Sequence, residues 1–312
     1  MTIDHAHGIS VVDTEFVRPR FDASYLVIEK GRAAFIDVGT NHAHPLLLAA
    51  LAQKGLGVEH VDWVILTHVH LDHAGGAGAA MAAFPNARLV VHPRGARHMI
   101  DPTALIKGAT AVYGEEEMAR SYGTLVPVPA DRVVEAPDGH VVDLAGRKLV
   151  CLDAPGHARH HVVIWDERSR SFFTGDTFGL SYRDFDTDRG AFIIPTTTPV
   201  QFEPDAYKDS IVRMLTHFPA QMFLTHYARV DDVERLGQDL VDQLDAMVAI
   251  GKKHAQGPDR HAKIAADLTD LYTSRARAHG VTLPDADIAT LLAVDIELNT
   301  QGMEVWLDRP AR

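Results

Sequence analysis

Short blocks of apolar residues, separated by turn residues, dominate the first third of the chain and predict β-strands with helices between them. Two β-rich runs fill residues 24–39 and are separated by Glu29-Lys30-Gly31. This pattern, with glycine at the turn, predicts a β-hairpin. Helical spacing then predicts a helix over 45–56, whose first turn accommodates Pro45. Further along, the pattern predicts a buried strand at 61–67, an Ala/Gly-rich helix at 71–84 and a strand at 88–92.

Residues 93–130 are less regular, and we interpret them as an insertion near the active face with one helix around 114–122. Strand patterns then resume at 132–134, 140–144, 148–153, 161–166 and 171–174. The order is therefore two strands, helix, strand, helix and strand, followed by several more strands. This order predicts the α/β class, as an α+β layered protein with mixed sheets rather than a doubly wound parallel sheet.

The last part of the chain changes to helical patterning. Residues 178–204 predict a long loop rich in Thr, Pro and aromatic residues, and such loops are usually functional or mobile. A helix at 205–217 and a short strand at 222–225 follow. After Asp231, apolar residues recur at helical spacing, and Asp285 or Asp287 can cap a last helix. We divide the chain into a mixed α/β domain, 1–230, and an α-helical appendage, 231–312.

Composition limits the classes of protein that fit. The chain has 312 residues, 46% of them hydrophobic, which is enough for a sizeable core. Its formal charge of −12 repels phosphate backbones, so we expect no nucleic-acid partner. The first residues lack the pattern of a secretory signal, and no apolar stretch predicts a membrane span. The single cysteine, Cys151, excludes an intramolecular disulfide, and we expect a cytoplasmic protein.

The run Thr67-His68-Val69-His70-Leu71-Asp72-His73 places four candidate metal ligands directly after a predicted buried strand. In extended backbone, His68 and His70 point to the same side because side chains alternate with period two. Asp72 and His73 then fall at the opening of the next predicted helix. One strand end can thus present two imidazoles to one cation, and a carboxylate with an imidazole to a second.

Three further candidate ligands follow short apolar strands downstream. They are His157 in Ala154-Pro155-Gly156-His157, Asp176 in Thr174-Gly175-Asp176, and His226 in Leu224-Thr225-His226. Because each follows a strand, all could converge on one edge of the sheets. Imidazole suits zinc or iron, and a carboxylate can bridge two cations.

These motifs resemble the metallo-β-lactamase superfamily. The run THVHLDH matches its HxHxDH signature, and the later GH, GD and TH turns match its remaining ligand positions in the same order. A compatible N-terminal hairpin ends in Ile36-Asp37-Val38-Gly39. The resemblance implies that residues 1–230 form a catalytic αββα sandwich, with the site along one edge of its two sheets and the helical appendage at the C-terminal end.

The resemblance also implies a dinuclear metal centre with named ligands. One cation would be bound by His68, His70 and His157, and the other by Asp72, His73 and His226. Asp176 would bridge the two cations, with a water or hydroxide as the other bridge. Two such cations lower the pKa of the shared water, and Asp72 would also shuttle a proton to the leaving group. We expect zinc, with iron or manganese as alternatives.

Aromatic and histidine side chains near these motifs are candidates for contact with a small-molecule substrate. Phe178 and Tyr182 lie in the long loop, Tyr227 follows His226, and His160 follows the His157 turn. The alternative interpretation is packing for the aromatic residues and a structural role for His160. The aromatic loop favours a small, fairly neutral ester or lactone, and the sequence leaves a homodimer open.

The two-metal pattern favours hydrolysis of an ester-like bond, and the rival is an iron-dependent oxidoreductase. Di-iron members that reduce dioxygen or nitric oxide usually carry glutamate where this chain has His70, whereas the persulfide-oxidising branch keeps the histidines. The helical appendage resembles the glyoxalase II branch, although no glutathione-binding motif matches. The runs DIELNTQG (295–302) and HLDHAGGAG (70–78) resemble an archaeal and bacterial branch whose substrates are not settled.

Overall fold

The predicted hairpin shows how local chemistry sets the sheets in the computed structural model, which describes residues 2–309. Ala23–Glu29 and Arg32–Ile36 pair as antiparallel strands across the turn Lys30-Gly31. Both turn residues have positive φ, 46° and 76°, which matches the twist of a two-residue hairpin.

Within the described residues, thirteen strands form two sheets, and the seven-stranded sheet is mixed. The seven-stranded sheet contains, in order, β1 Thr2–His5, β2 Ile9–Asp13, β3 Ala23–Glu29, β4 Arg32–Ile36, β5 Val61–Ile65, β6 Arg88–Val91 and β7 Val133–Glu135. Its first four strands are antiparallel, and β4 to β7 are parallel. The six-stranded sheet is ordered β13-β12-β11-β10-β9-β8, with β8 His140–Leu144, β9 Arg147–Asp153, β10 Val162–Asp166, β11 Ser171–Gly175, β12 Gln221–Leu224 and β13 Ala228–Val230.

Alternation along the strands separates two apolar layers. In β3 and β4, Tyr25, Val27 and Ile36 contribute to a core that also contains Ile164 and Phe173 of the other sheet. Their neighbours in sequence point into a second core with the helices on the outer face of the seven-stranded sheet, as Leu26 and Phe35 illustrate. The two sheets therefore pack face to face, as expected of a sandwich.

The described chain forms two units. The first comprises the chain up to Asp153, His160–Gly175 and Met222–Arg229, and it holds almost all of both sheets. The second comprises Ala154–Arg159, Asp176–Gln221 and the chain from Val230 onward. The predicted domain boundary after residue 230 stays a prediction. The last residues of the predicted appendage, 310–312, lie outside the described part of the chain.

Helices of the first unit differ from the prediction in two places. They are α1 His44–Gln53, α2 Leu71–Ala74, α3 Ala77–Ala83, α4 Pro93–Ile100, α5 Thr103–Tyr113 and the short α6 Glu115–Glu117, followed by a π-helical turn at Met118–Tyr122. The predicted helix over 71–84 is broken at Gly75-Gly76, where a Cβ on Gly76 would lie 2.7 Å from the carbonyl oxygen of Thr40. The segment 93–130 is more helical than predicted, since it contains α4 and α5; the buried face of α4 consists of Gly95, Ala96 and Met99, which are few apolar residues for a sequence pattern to show.

The second unit is helical, as predicted for the C-terminal region. Its helices are α7 Pro204–Leu215, α8 Val233–Lys253, α9 Arg260–His279, α10 Asp285–Leu291 and α11 Ala293–Leu307. The predicted last helix is divided at Leu292, and Asp285 and Asp287 lie in its first turn instead of capping it. Among the described residues, none of these helices combines the length and apolarity that crossing a membrane requires.

Candidate metal centre

The HxHxDH run follows the end of β5, and the backbone of His70 is extended, with a φ of −67° and a ψ of 152°. His68 is fully buried, and its Nε2 lies 2.7 Å from Nδ1 of His70. The Thr67 hydroxyl donates to Asp37, so it can accept the Nδ1–H of His68 at 3.1 Å. That arrangement leaves a lone pair on Nε2 of His68, facing the nearest nitrogen of His70. The two nitrogens can share one proton or one cation, which fits a metal-binding pair.

Asp72, His73 and His226 form a second group. Asp72 and His73 lie in α2, whereas His226 follows β12. The Asp72 Oδ2 lies 3.6 Å from Nε2 of His73 and 3.4 Å from Nε2 of His226. One ligand atom from each of the three residues lies within 4.8 Å of the others, a spacing that suits a single cation.

One buried carboxylate, Asp37, anchors this group. It follows β4, with a positive φ of 53°, and is 1% exposed. Its Oδ1 accepts the backbone N–H of Thr67 at 2.8 Å, while Oδ2 accepts the Thr67 hydroxyl at 2.8 Å. The same Oδ2 accepts Nδ1–H of His73 at 2.8 Å and the Thr225 hydroxyl at 3.2 Å. Asp37 therefore holds His73 with Nε2 directed towards Asp72.

Backbone and packing contacts orient His226 in the same way. Its Nδ1 donates to the carbonyl oxygen of Phe21 at 2.9 Å, and the two rings meet edge-on at 5.4 Å. The lone pair of Nε2 is therefore directed towards Asp72. Beside this group, burial raises the pKa of the Asp22 carboxyl to about 7, and within the described residues its Oδ1 accepts no hydrogen bond.

The second unit carries the other two predicted ligands as a buried pair. His157 Nδ1 donates to the carbonyl oxygen of Thr196 at 3.0 Å, and its Nε2 lies 3.2 Å from Oδ2 of Asp176. The Tyr207 hydroxyl donates to the backbone oxygen of Asp176 at 2.6 Å. Gly156 has a φ of 131°, and a Cβ there would overlap the Tyr207 backbone, so this turn requires glycine.

Further histidines pack on His68. The His161 ring is buried and stacks on it at 4.7 Å, while the partly exposed His160 lies 6.2 Å from His68 and 5.5 Å from His70. A Cβ on Gly175 would lie 2.6 Å from Nε2 of His161, so the end of β11 leaves room for this ring. His160 thus lies beside the predicted ligands of the first unit.

The predicted substrate residues occupy different environments. Phe178 and Tyr182 are buried in the second unit, where Tyr182 donates a hydrogen bond to Asp295 at 3.2 Å. Tyr227 is 2% exposed and packs in the core between the two sheets. Substrate contact by these residues and by His160 stays a prediction.

Sequence reasoning missed two kinds of supporting residue. Asp37 ends the predicted hairpin, and the signal for its role is an acid at the end of a buried strand. Thr196, whose carbonyl oxygen accepts from Nδ1 of His157, has no local signal because 39 residues separate the two. Cys151 is buried in the core between the two sheets, and burial raises the pKa of its thiol to about 12.

Comparison with known proteins gives a family match over most of the chain. The family model described as the metallo-beta-lactamase superfamily matches residues 17–220. The metallo-beta-lactamase fold-containing protein ST1585 of Sulfurisphaera tokodaii is 26% identical over 225 residues, which cover 70% of this chain and 77% of that protein. A hydroxyacylglutathione hydrolase of Stenotrophomonas maltophilia is 32% identical over 152 residues, covering 49% of this chain and 44% of that protein.

Solved structures share the fold along nearly the whole chain. The crystal structure of ST1585 superimposes with a TM-score of 0.65 at 21% identity, covering 96% of this chain and 99% of that one. The metallo-beta-lactamase family protein TTHA1429 of Thermus thermophilus gives a TM-score of 0.64 at 20% identity, covering 92% and 93%. At these identities the likeness concerns the fold, and it confirms the predicted fold class.

Proposed function

This chain belongs to the metallo-beta-lactamase superfamily, and from that premise we propose that it is a dinuclear metal-dependent hydrolase acting on an ester-like bond of a small molecule. One observation carries the proposal. Four of the predicted histidine ligands direct Nδ1 to an acceptor in the protein: Thr67, Asp37, Thr196 and Phe21 accept from His68, His73, His157 and His226, respectively. This pattern keeps Nε2 deprotonated for a cation.

The ligand set that we propose has seven members. His68, His70 and His157 would hold one cation, Asp72, His73 and His226 the other, and Asp176 would bridge them. The close spacing within the Asp72 group and within the His157–Asp176 pair supports this assignment. Zinc is the metal that we propose, because imidazole and carboxylate donors suit it.

Two bound cations would supply Lewis acidity and lower the pKa of a shared water. The residues of the chain would do the rest. Asp37 keeps His73 fixed, so the Asp72 group does not have to reorganise during the reaction. Asp72 is 24% exposed at its side chain, and we propose that it takes a proton from the attacking water and returns it to the leaving group.

Lactones, oxygen esters and thioesters are the substrate classes that we propose. The aromatic segment 178–194 favours a small, fairly neutral molecule, and the name of the similar hydroxyacylglutathione hydrolase gives a thioester as that protein's substrate. We also propose a cytoplasmic location, because the sequence has a single cysteine and no intramolecular disulfide. Neither nucleic acid nor membrane enters the proposal as a partner.

Removal of metal tests the hydrolase proposal. Activity on a panel of lactones, oxygen esters and thioesters should vanish after treatment with a chelator and return with Zn²⁺ or Mn²⁺. His68→Ala should remove metal and activity together, whereas His98→Ala, a histidine outside the proposed centre, should leave both unchanged. Tightly bound iron with uptake of dioxygen, and no hydrolysis of the panel, would favour the oxidoreductase instead.

A further inference from the structure

The run 295–302, DIELNTQG, forms the buried face of α11 in the second unit. Asp295, Asn299 and Thr300 are at most 5% exposed, although all are polar. Asn299 uses both ends of its amide: Nδ2 donates to the carbonyl oxygen of Pro195 at 3.1 Å and to the Tyr272 hydroxyl at 2.8 Å. Its Oδ1 accepts the backbone N–H of Thr197 at 2.7 Å.

Thr196 lies between the two residues that Asn299 holds. Its carbonyl oxygen accepts Nδ1–H of His157 at 3.0 Å, so the direction of this peptide group sets the orientation of the imidazole. The Thr197 hydroxyl is also held, since it donates to the carbonyl oxygen of Leu298 at 3.2 Å. A Cβ on Gly302 would overlap this hydroxyl, and glycine therefore lets the loop lie against the helix.

We propose that Asn299 is a positioning residue for the metal ligand His157, acting through the peptide groups on either side of Thr196. This site requires an amide, because the side chain must donate to the carbonyl oxygen of Pro195 and accept the backbone N–H of Thr197. Aspartate has the same shape, but it cannot donate to Pro195. The inference rests on the proposed function, since it treats His157 as a ligand.

Zinc affinity separates this positioning role from a structural one. We would measure it by competition with a chelator in the full-length Asn299→Ala and Asn299→Asp chains, alongside their thermal unfolding. Loss of a residue that orients a ligand typically costs about 10–100-fold in metal affinity, and we expect a loss in that range for both. Tyr272→Phe, which removes one partner of Asn299, should lose less. Gln301→Ala, on the same helix, should bind zinc like the parent.

The outcomes distinguish the two claims. Lower unfolding temperatures with unchanged zinc affinity would overturn the inference and leave Asn299 a structural residue. If the parent chain itself binds no metal, the proposed function fails, and the inference is judged on the ¹⁵N resonances of the His157 ring. These resonances should report the Nδ1–H tautomer of His157 in the parent and a mixture of tautomers in Asn299→Ala. Identical spectra of the two proteins would overturn the inference.

A separate cavity of about 240 Å³ lies in the second unit, between α8, α9 and the loop before α7. Positively charged side chains line it. The charge of Arg235 is compensated by Asp232 and Asp239, whereas the guanidinium of Arg189 has one partner among the described residues, the backbone carbonyl oxygen of Ala278. Within the described residues, Arg275 has neither a hydrogen bond nor an ion pair. The wall therefore carries uncompensated positive charge, which favours an anion.

A buried amide oxygen adds a second requirement. Gln243 lines the cavity and is 1% exposed. Its Nε2 donates to the carbonyl oxygens of Ile193 at 2.9 Å and Asp239 at 3.0 Å, which fixes the orientation of the amide. Its Oε1 accepts no hydrogen bond within the described residues. Because a buried acceptor without a donor is costly, the cavity fits a ligand that supplies an N–H or O–H group.

We infer that this cavity binds a small organic carboxylate that also carries an N–H donor, the carboxylate on Arg275 and Arg189 and the donor on Gln243. Calorimetric titration of the full-length chain with N-acetylglycinate should show saturable binding. Arg275→Gln should weaken it about tenfold or more, as loss of a charged hydrogen bond does. Arg213→Gln, on α7 and outside the cavity lining, should change nothing.

A matched probe tests the role of Gln243. In 4-oxopentanoate a CH₂ group replaces the N–H of N-acetylglycinate. The parent should therefore bind 4-oxopentanoate more weakly than N-acetylglycinate, whereas Gln243→Leu should bind the two probes with equal affinity. Absence of saturable binding, or equal binding of both probes to the parent, would overturn the inference.

Discussion

His73 of the first unit and His157 of the second are held by different means. In the first unit, the ionic side chain of Asp37 accepts hydrogen bonds from Thr67, His73 and Thr225, and thus joins two strand ends and a helix. In the second, His157 depends on a neutral carbonyl oxygen of a loop, and Asp176 on the Tyr207 hydroxyl. Charge-assisted hydrogen bonds are roughly twice as strong as neutral ones. We therefore expect His73 to be the more firmly held of these two residues and His157 the more easily perturbed.

The largest effect should come from Asp37→Asn. The amide would place its own N–H groups against the donors of Thr67, His73 and Thr225. We expect this to destabilise the fold by about 3 kcal/mol and to lower zinc affinity by about 10–100-fold. Chemical unfolding and chelator competition measure the two effects.

Asp166→Asn is the matched control for that variant. Asp166 forms a buried ion pair with Arg147 in the same unit. Breaking such a pair costs about 3–5 kcal/mol, but zinc affinity should stay at the parent value. If both variants lose zinc equally, Asp37 acts only through the stability of the fold.

Gly156→Ala should be next in size. The new Cβ overlaps the Tyr207 backbone at a φ of 131°, so the turn before His157 must shift at a cost of about 1–3 kcal/mol and with weaker zinc binding. Gly139→Ala is the control, because its φ of 79° is also positive but no atom lies within 4 Å of the added Cβ. Equal zinc affinity in the two variants would show that the turn does not position His157.

Tyr207→Phe should have a smaller effect. It removes one of two hydrogen bonds to the backbone oxygen of Asp176, which still accepts the Gly179 N–H at 2.9 Å, at a cost of about 1 kcal/mol. Zinc affinity should fall less than in Gly156→Ala. A drop as large as that of Asp37→Asn would contradict the ranking of the charge-assisted contacts of Asp37 above the neutral contacts of the second unit.

The smallest effect concerns pH and lies away from the ligands. Hydrogen bonds to Glu304 and Glu297 raise the pKa of His261 above its ordinary 6.5. Stability from this charge is therefore fully present below pH 6.5 and is lost as pH rises through the folded-state pKa. His261→Gln should lower stability by about 0.5 kcal/mol at pH 5.5 and by nothing at pH 9. A change in its zinc affinity at either pH would count against our assignment of the ligands.

The sequence predicted the features that depend on local contacts and missed those that depend on distant ones. The strand before His68 and the positions of Asp72 and His73 in α2 are local features, so alternation and spacing predicted them. At the break after Gly75, the Gly76 N–H donates to the distant carbonyl oxygen of Gly39 at 2.8 Å, and local spacing could not show this contact. The contact between Asn299 and Thr197, through which we propose that His157 is positioned, spans 102 residues, and only the three-dimensional structure brings these groups together.

The identity of the substrate is the part that local patterns predict least. Phe178 and Tyr182 are aromatic residues of a loop, and sequence cannot separate a pocket wall from packing. The structure buries both, and Tyr182 donates to Asp295 of α11. Contact of Phe178 and Tyr182 with substrate therefore stays a prediction until activity on lactones, oxygen esters and thioesters is measured.

Elemental analysis of the purified chain, produced with zinc and iron both available, tests the central claim most directly. A two-metal hydrolase predicts about two zinc ions per chain in the parent. We expect less than half of that in His68→Ala, and the full amount in His98→Ala. A parent chain without tightly bound metal, or one that holds iron in place of zinc, would contradict the proposed zinc hydrolase.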